Sequence, residues 1–318
     1  FGSGGRAQLA PIGALRKLAG RAWVPAGYMF GLAGLLILSY YAVIAGWTVR
    51  YGLEAAFTGF PGSSADHFGV VASGADAVAY HVGFMALTVL IVVGGVKGGI
   101  ERASLLLMPV LFVIVVGLAI WASTLDGAGA GYAKYLKPEL DELMNPAVWR
   151  AAASQAFFSL SLGMGGMLTY ASYLKRDQNL PESATVVAFT DFGVAFVAGL
   201  LVFPVIYSFA LQGAVSASTV GALFIALPSA FQAMGEVGRV VGAFFFAVLA
   251  VGALTSAISL LEVVTSSVMD EFGMSRRRSA ILTGALVTLI GVAPALDTDA
   301  LGLMDKIAGE LLLIAGGL

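Results

Sequence analysis

Polar and conformationally loose residues concentrate inside an apolar run at Gln155-Ala-Phe-Phe-Ser-Leu-Ser-Leu-Gly-Met-Gly-Gly166. Gly163, Gly165 and Gly166 each weaken a helix by ~1 kcal/mol relative to alanine, and Gln155, Ser159 and Ser161 stand beside them. Small residues of this kind can serve close packing between helices and nothing more. Glycines, hydroxyls and an amide together favour another reading, a membrane helix broken at its middle. Its unwound carbonyls and hydroxyls then face an ion or a polar solute instead of lipid. A second group lies in Gly252-Ala-Leu-Thr-Ser-Ala-Ile-Ser-Leu-Leu-Glu262. Thr255, Ser256 and Ser259 occupy neighbouring helical faces, and hydroxyl oxygens beside carbonyls are hard ligands suited to an alkali ion. Membrane Ser and Thr also bond back to their own helix, and spacing alone favours that plainer role. The third feature is Asp191, inside the apolar stretch 186–195. An ionised carboxylate at bilayer depth costs at least ~2.5–3.5 kcal/mol, so it usually faces a cavity and a cation. Tyr40 and Tyr41 fall well inside another apolar run.

Helices in a bilayer are the elements that must position these groups. Of the 318 residues, 59% are apolar and only 11% charged, with a mean hydropathy of +0.92. Soluble domains carry about 25% charged residues, so water is not the solvent for most of this surface. A spanning helix needs about 20 mostly apolar residues. Eight such runs lie near Trp23–Val49, Ala75–Gly95, Ile100–Thr124, Ala147–Tyr173, Ala184–Leu211, Gly238–Met269, Ser279–Ala293 and Leu301–Leu318. Pro61-Gly62-Ser63-Ser64, Lys97-Gly98-Gly99, Pro138, Lys175-Arg176-Asp177, Arg276-Arg277-Arg278 and Asp297-Thr298-Asp299 separate them. Alternate loops on one side hold 11 of the 17 Lys and Arg residues against five acids. The opposite loops are net acidic, which predicts that the start of the chain is cytoplasmic. A net charge of −2 speaks against a nucleic-acid partner, and the absence of cysteine excludes disulfides and thiolate metal sites. The opening FGSGGRAQ lacks the basic flank and apolar core of a signal peptide. Both ends read as cut, because Phe1-Gly2 opens onto a basic loop and LLLIAGGL stops inside a hydrophobic run. The expectation is one transmembrane domain over residues 1–318, all-α and polytopic.

YYAVIAGW (40–47), QAFFSLSLGMGGMLTYASY (155–173), the Asp191 helix with Pro204 near its exit, and LTSAISLLE (254–262) resemble the neurotransmitter:sodium symporter family. The resemblance covers nearly the whole chain, and the eight runs fall in order with the family's third to tenth helices. It implies an inverted-repeat transporter fold and sodium-driven uptake of an amino acid. By resemblance, Tyr41 binds the substrate carboxylate, and Ile37, Met164 and Leu260 line its side-chain pocket. Phe158 is the lid, Ser161 stands at the unwound turn, and Ser256 borders the substrate. One sodium is held partly by Ser159 and Asp191, the other by the Gly252 carbonyl and the Thr255 and Ser256 hydroxyls. Asp305 resembles the acidic half of an outer gate near Gln155, and Tyr173 and Asp270 resemble parts of an inner gate. The family's first helix, also broken, supplies ligands to both sodium ions and is not among these residues, so each site is incomplete here. Family members carry Asn where Asp191 stands, and the position of Ala195 distinguishes chloride-dependent ones, which points to chloride independence. Short outer loops, and the absence of a glycosylation sequon at Asn145 or Asn179, point to a prokaryotic inner-membrane protein. Met164 and Leu260 leave a large apolar or aromatic side chain as the cargo. The oligomeric state is open.

Two other classes compete with this one. A membrane-embedded enzyme using Asp191 and Glu262 as a carboxylate pair lacks the expected motif, since GMGG (163–166) has no acid beside it. A non-transporting regulatory relative is separated from a carrier by an uptake assay. His67 and His81 lie in or beside one outer loop with no carboxylate pattern in the sequence. Arg276-Arg277-Arg278 reads as a topogenic cluster, with closure of an inner gate as its second reading.

Overall fold

Run length and turn chemistry decide where the helices begin and end. The computed structural model describes residues 2–174, 178–217 and 219–317, so Lys175-Arg176-Asp177 and the terminal Phe1 and Leu318 lie outside the described residues. Helices α1 (Gly2–Ala7) and α2 (Pro11–Leu18) lead into the long α3 (Val24–Phe57). Then follow α4 (Ser64–Val71), α5 (Ala75–Val93), α6 (Glu101–Ser123), α7 (Ala128–Leu136), α8 (Pro146–Ser159), α9 (Gly166–Ser172) and α10 (Leu180–Ser208). Short α11 (Gln212–Ala217), α12 (Thr219–Gly221) and α13 (Leu227–Ala233) precede α14 (Glu236–Phe272) and α15 (Arg276–Leu296). Last come α16 (Thr298–Asp305) and α17 (Leu313–Gly317), joined by a π-helical stretch, Lys306–Leu312.

Among the described residues six helices are long and apolar enough to cross a membrane: α3, α5, α6 with its preceding π turn, α10, α14 and α15. The other two of the eight expected runs are built in pieces. Ala147–Tyr173 divides into α8 and α9, because its glycines release the helix ladder. The run expected at Leu301–Leu318 starts earlier, at Thr298, and passes through the π stretch, with Asp305 and Lys306 at the junction. Asn145 caps α8 through Oδ1, which accepts from the Ala147 N–H at 3.0 Å, with Pro146 at the first helical position. Asn179 caps α10 in the same way.

Helices α3 and α14 form the axis of the molecule. Ile37, Leu38, Ala257, Ile258 and Leu261 bury one core cluster between them. Trp47, Tyr51, Phe224, Phe231 and Phe246 make a second, aromatic cluster towards the other end of α3. Glycine lets the bundle close around α5: a Cβ on Gly291 of α15 would lie 2.4 Å from the His81 ring. His81 is therefore fully buried, with Nε2 3.1 Å from the Thr288 carbonyl. His67 is elsewhere, its Nε2 2.6 Å from the Glu54 carboxylate, which Arg50 also holds at 3.0 Å. The two histidines do not share a site, and the carboxylate beside His67 comes from α3, 13 residues earlier in the chain.

Candidate functional site

The break between α8 and α9 is the centre of the site. The hydrogen-bond ladder of α8 ends with the Leu162 N–H on the Phe157 carbonyl at 2.8 Å, and resumes with Thr169 N–H on Gly165 O at 3.0 Å. Three residues in between have positive φ: Ser161 at 53°, Gly163 at 81° and Gly165 at 78°. Glycine enters this region without steric cost, whereas Ser161, a non-glycine, holds a strained conformation there. Gly165 has a second reason to lack a side chain, because a Cβ there would lie 2.6 Å from Pro11 Cγ. A helix ending and a helix beginning at mid-run present free carbonyls from α8 and free N–H groups from α9 to one place. Their partial charges suit a cation and an anionic group respectively.

The expected ion ligands gather in two places. At the end of α8, Ser159 Oγ donates to Asp191 Oδ1 at 2.7 Å, joining the broken helix to α10. On α14, Thr255 Oγ1 donates to the Gly252 carbonyl at 2.8 Å, so these two oxygens are adjacent. That bond is also the back-bonding expected of a membrane threonine. The Tyr41 hydroxyl lies near the Ser256 side chain, which brings α3 to the same stretch. The expected pocket residues also converge: Ile37, Met164 and Leu260 belong to one buried cluster, with Tyr41 packed against it. Phe158 stands apart from that cluster and is 43% exposed.

Three of the four residues expected at the gates, Asp305, Tyr173 and Asp270, lie beside groups that the sequence does not name. The Tyr40 hydroxyl and the Asp305 carboxylate lie on either side of Gly309, where a Cβ would touch both groups. Gln155 is exposed, and no hydrogen bond among the described residues joins it to Asp305. Asp270 Oδ2 accepts the Ala10 N–H at 2.6 Å. Its neighbour Glu271 takes Arg16 at 2.7 and 2.8 Å and the Tyr28 hydroxyl at 2.9 Å. These two acids dock α2 against the end of α14. Tyr173 donates to Glu262, which is fully buried and holds Arg276 through two bonds of 2.7 and 2.8 Å. The geometry is a bidentate guanidinium–carboxylate pair, the arrangement that best offsets the desolvation of a buried acid.

Comparison with known proteins agrees with this geometry. The profile of the sodium:neurotransmitter symporter family matches residues 66–308. The chain belongs to that family. An uncharacterized sodium-dependent transporter of Bacillus subtilis (strain 168) is 35% identical over 295 residues, covering 91% of this chain and 64% of that protein. Sodium-dependent nutrient amino acid transporter 1 of Drosophila melanogaster is 31% identical over 217 residues, 64% of this chain and 33% of that protein. The crystal structure of MhsT in complex with L-phenylalanine superposes with a TM-score of 0.85 at 38% identity, covering 99% of this chain and 74% of that one. The chain thus spans just under two thirds of the Bacillus relative's length. Its relatives are sodium-dependent transporters, not enzymes.

Within this sodium:neurotransmitter symporter chain, two groupings escaped the sequence. Glu262 was legible as an acid two turns past Thr255, and its partner Arg276 as part of a topogenic cluster with closure of an inner gate as its second reading, but not as a pair. Asp191 and Glu262 have separate partners, Ser159 and Arg276, rather than each other. Tyr40 was legible as deep in the bilayer, and its place beside Asp305 was not.

Proposed function

We propose that the protein carrying this chain is a sodium-coupled amino-acid symporter working by alternating access, with an apolar or aromatic amino acid as cargo and no requirement for chloride. The observation that carries this reading is the Ser159–Asp191 bond of 2.7 Å at the mouth of the helix break. It sets a carboxylate and a hydroxyl beside the free carbonyls of α8, a donor set of hard oxygens suited to sodium. In this reading Gly252, Thr255 and Ser256 hold a second sodium, and both ion sites draw further ligands from outside these residues. Tyr41, Ser161 and Ser256 orient the amino-acid backbone, Ile37, Met164 and Leu260 receive its side chain, and Phe158 covers it. Asp305 with Gln155, and Tyr173 with Asp270, serve the outer and inner gates. The domain acts in the inner membrane of a prokaryotic cell, with residues before α3 on the cytoplasmic side. The MhsT complex with L-phenylalanine supports an aromatic cargo.

Charge balance supports chloride independence. Two sodium ions beside a zwitterion leave excess positive charge in a poorly solvated site. A fixed carboxylate within about 4–6 Å of a cation is favoured in its ionised form and supplies the offset. Uptake of labelled phenylalanine and leucine by a transport-competent protein carrying this chain is expected to vanish when choline replaces sodium. The same uptake is expected to survive when gluconate replaces chloride. Asp191→Asn with Ala195→Ser is expected to make uptake chloride-sensitive. Uptake that ignores sodium overturns the coupling, and wild-type uptake that collapses in gluconate overturns the fixed-charge role of Asp191.

A further inference from the structure

The inner half-helix α9 is only seven residues long and begins at the break, so few bonds hold it. Two of them form a ladder onto α14. Tyr173 meets Glu262, and Tyr170, three residues earlier, donates its hydroxyl to Ser259 Oγ at 3.1 Å, three residues before Glu262. Equal offsets on both helices place the two tyrosines on one face of α9 and their partners on one face of α14. The two rungs differ in chemistry. The lower one is charged and anchored to α15 through Arg276, whereas the upper one is neutral and anchored within α14. Ser259 Oγ accepts from Tyr170 and donates its own hydroxyl to the Thr255 carbonyl at 3.1 Å. Thr255 in turn donates its hydroxyl to the Gly252 carbonyl at 2.8 Å. The hydrogen bonds therefore run from the inner half of the broken helix to the backbone carbonyl of Thr255, the residue whose hydroxyl is assigned above to the second sodium. The two linked bonds, Tyr170 to Ser259 and Ser259 to the Thr255 carbonyl, polarise one another, and together they fix the backbone of the residue whose hydroxyl serves the site.

We propose that Tyr170 and Ser259 are positioning residues that couple retention of the cation on Gly252–Ser256 to the closed position of α9. The inference rests on the sodium reading of Thr255 and Ser256. With the rung made, α9 lies against α14 and the Thr255 backbone is held at the site. When the cation leaves, the donor chain loses its order at Thr255, the rung weakens and α9 is free to swing towards the cytoplasm. A hydroxyl that only satisfies itself in the protein interior does neither.

The test uses a transport-competent protein carrying this chain, with any cysteine outside it replaced by serine; the chain itself has none. Tyr170→Phe keeps the ring and deletes the donor, and Ser259→Ala deletes the acceptor. Each is expected to raise the half-saturating sodium concentration about three- to tenfold, the range of one net hydrogen bond. Each is also expected to speed maleimide labelling, in saturating sodium, of a Thr169→Cys reporter, because Thr169 is fully buried on α9. The double variant is expected to be no worse than either single one, and Ser259→Thr to restore both readouts. Additive effects, or faster labelling without a sodium shift, overturn the coupling. Wild-type sodium dependence in Thr255→Ala and Ser256→Ala overturns the sodium reading and the coupling with it. A shift in those two variants, with none in Tyr170→Phe and Ser259→Ala, overturns the coupling alone.

Discussion

Single residues here are governed by what they give up on leaving water. Glu262 is fully buried while Arg276 keeps 21% of its side chain exposed, so the two halves of the pair are not equivalent. Arg276→Gln leaves a carboxylate with only Tyr173 as a donor in the interior. That is expected to cost on the order of 3–5 kcal/mol, read as a lowered thermal unfolding midpoint in detergent. Glu262→Gln leaves a guanidinium that still reaches solvent, and a smaller loss is expected. Equal midpoints for Arg276→Gln and the wild type contradict the pairing argument. The apolar pocket obeys a different rule. Met164 and Leu260 are 3% and 8% exposed and belong to one cluster with Ile37. Met164→Ala or Leu260→Ala removes methylenes worth about 1–3 kcal/mol of discrimination. The order in which small, branched and aromatic amino acids compete for uptake is expected to change. An unchanged competition profile removes both residues from the pocket.

At the scale of elements the decisive feature is the joint between α8 and α9. Its glycines were legible because helix propensity is local: Gly163, Gly165 and Gly166 in a row of near neighbours cannot sustain a ladder. What was not legible is how tightly the joint is seated. Gly165 faces Pro11 of α2, 154 residues away, at a distance that leaves no room for a Cβ. Gly165→Ala is therefore expected to cost about 1–2 kcal/mol for the positive φ alone, with the displacement of α2 adding to it. Gly83→Ala, in the middle of α5 with open space beside it, is expected to be neutral or stabilising by about 1 kcal/mol. Unfolding midpoints of the two variants in parallel check the contrast. Similar midpoints mean that the joint is not strained in the way the backbone implies.

For the whole molecule, charge sets orientation and helix length sets register with the bilayer. The 21 residues of α15 rise about 31 Å, one hydrocarbon thickness. Its two ends then lie on opposite sides of the membrane. Arg278 and Asp299 are exposed near those ends. Arg278→Cys is expected to react with an impermeant maleimide only in inside-out vesicles, and Asp299→Cys only in right-side-out ones. The reverse pattern overturns the cytoplasmic assignment of the basic loops. The same length rule explains why eight expected runs became six unbroken spans: apolarity ensures helix formation in lipid, while continuity depends on residues inside the run.

The sequence by itself determined that the chain is built of apolar helices long enough for a bilayer and where one of them breaks, and it marked the hard oxygens that could meet an alkali ion. Those properties are local, set by transfer from water, by φ preference and by ligand chemistry. Only the tertiary structure decided the partners. Asp191 needed a cation or a donor and Glu262 needed a counter-charge, but the need carries no address. Ser159 lies 32 residues from Asp191, and Tyr170 lies 89 residues from Ser259. Ala10 and Asp270, 260 residues apart, meet because α2 packs against the end of α14. Burial makes an unpaired polar group costly, so a partner is obligatory. Which partner it is follows from the angles and distances at which whole helices pack.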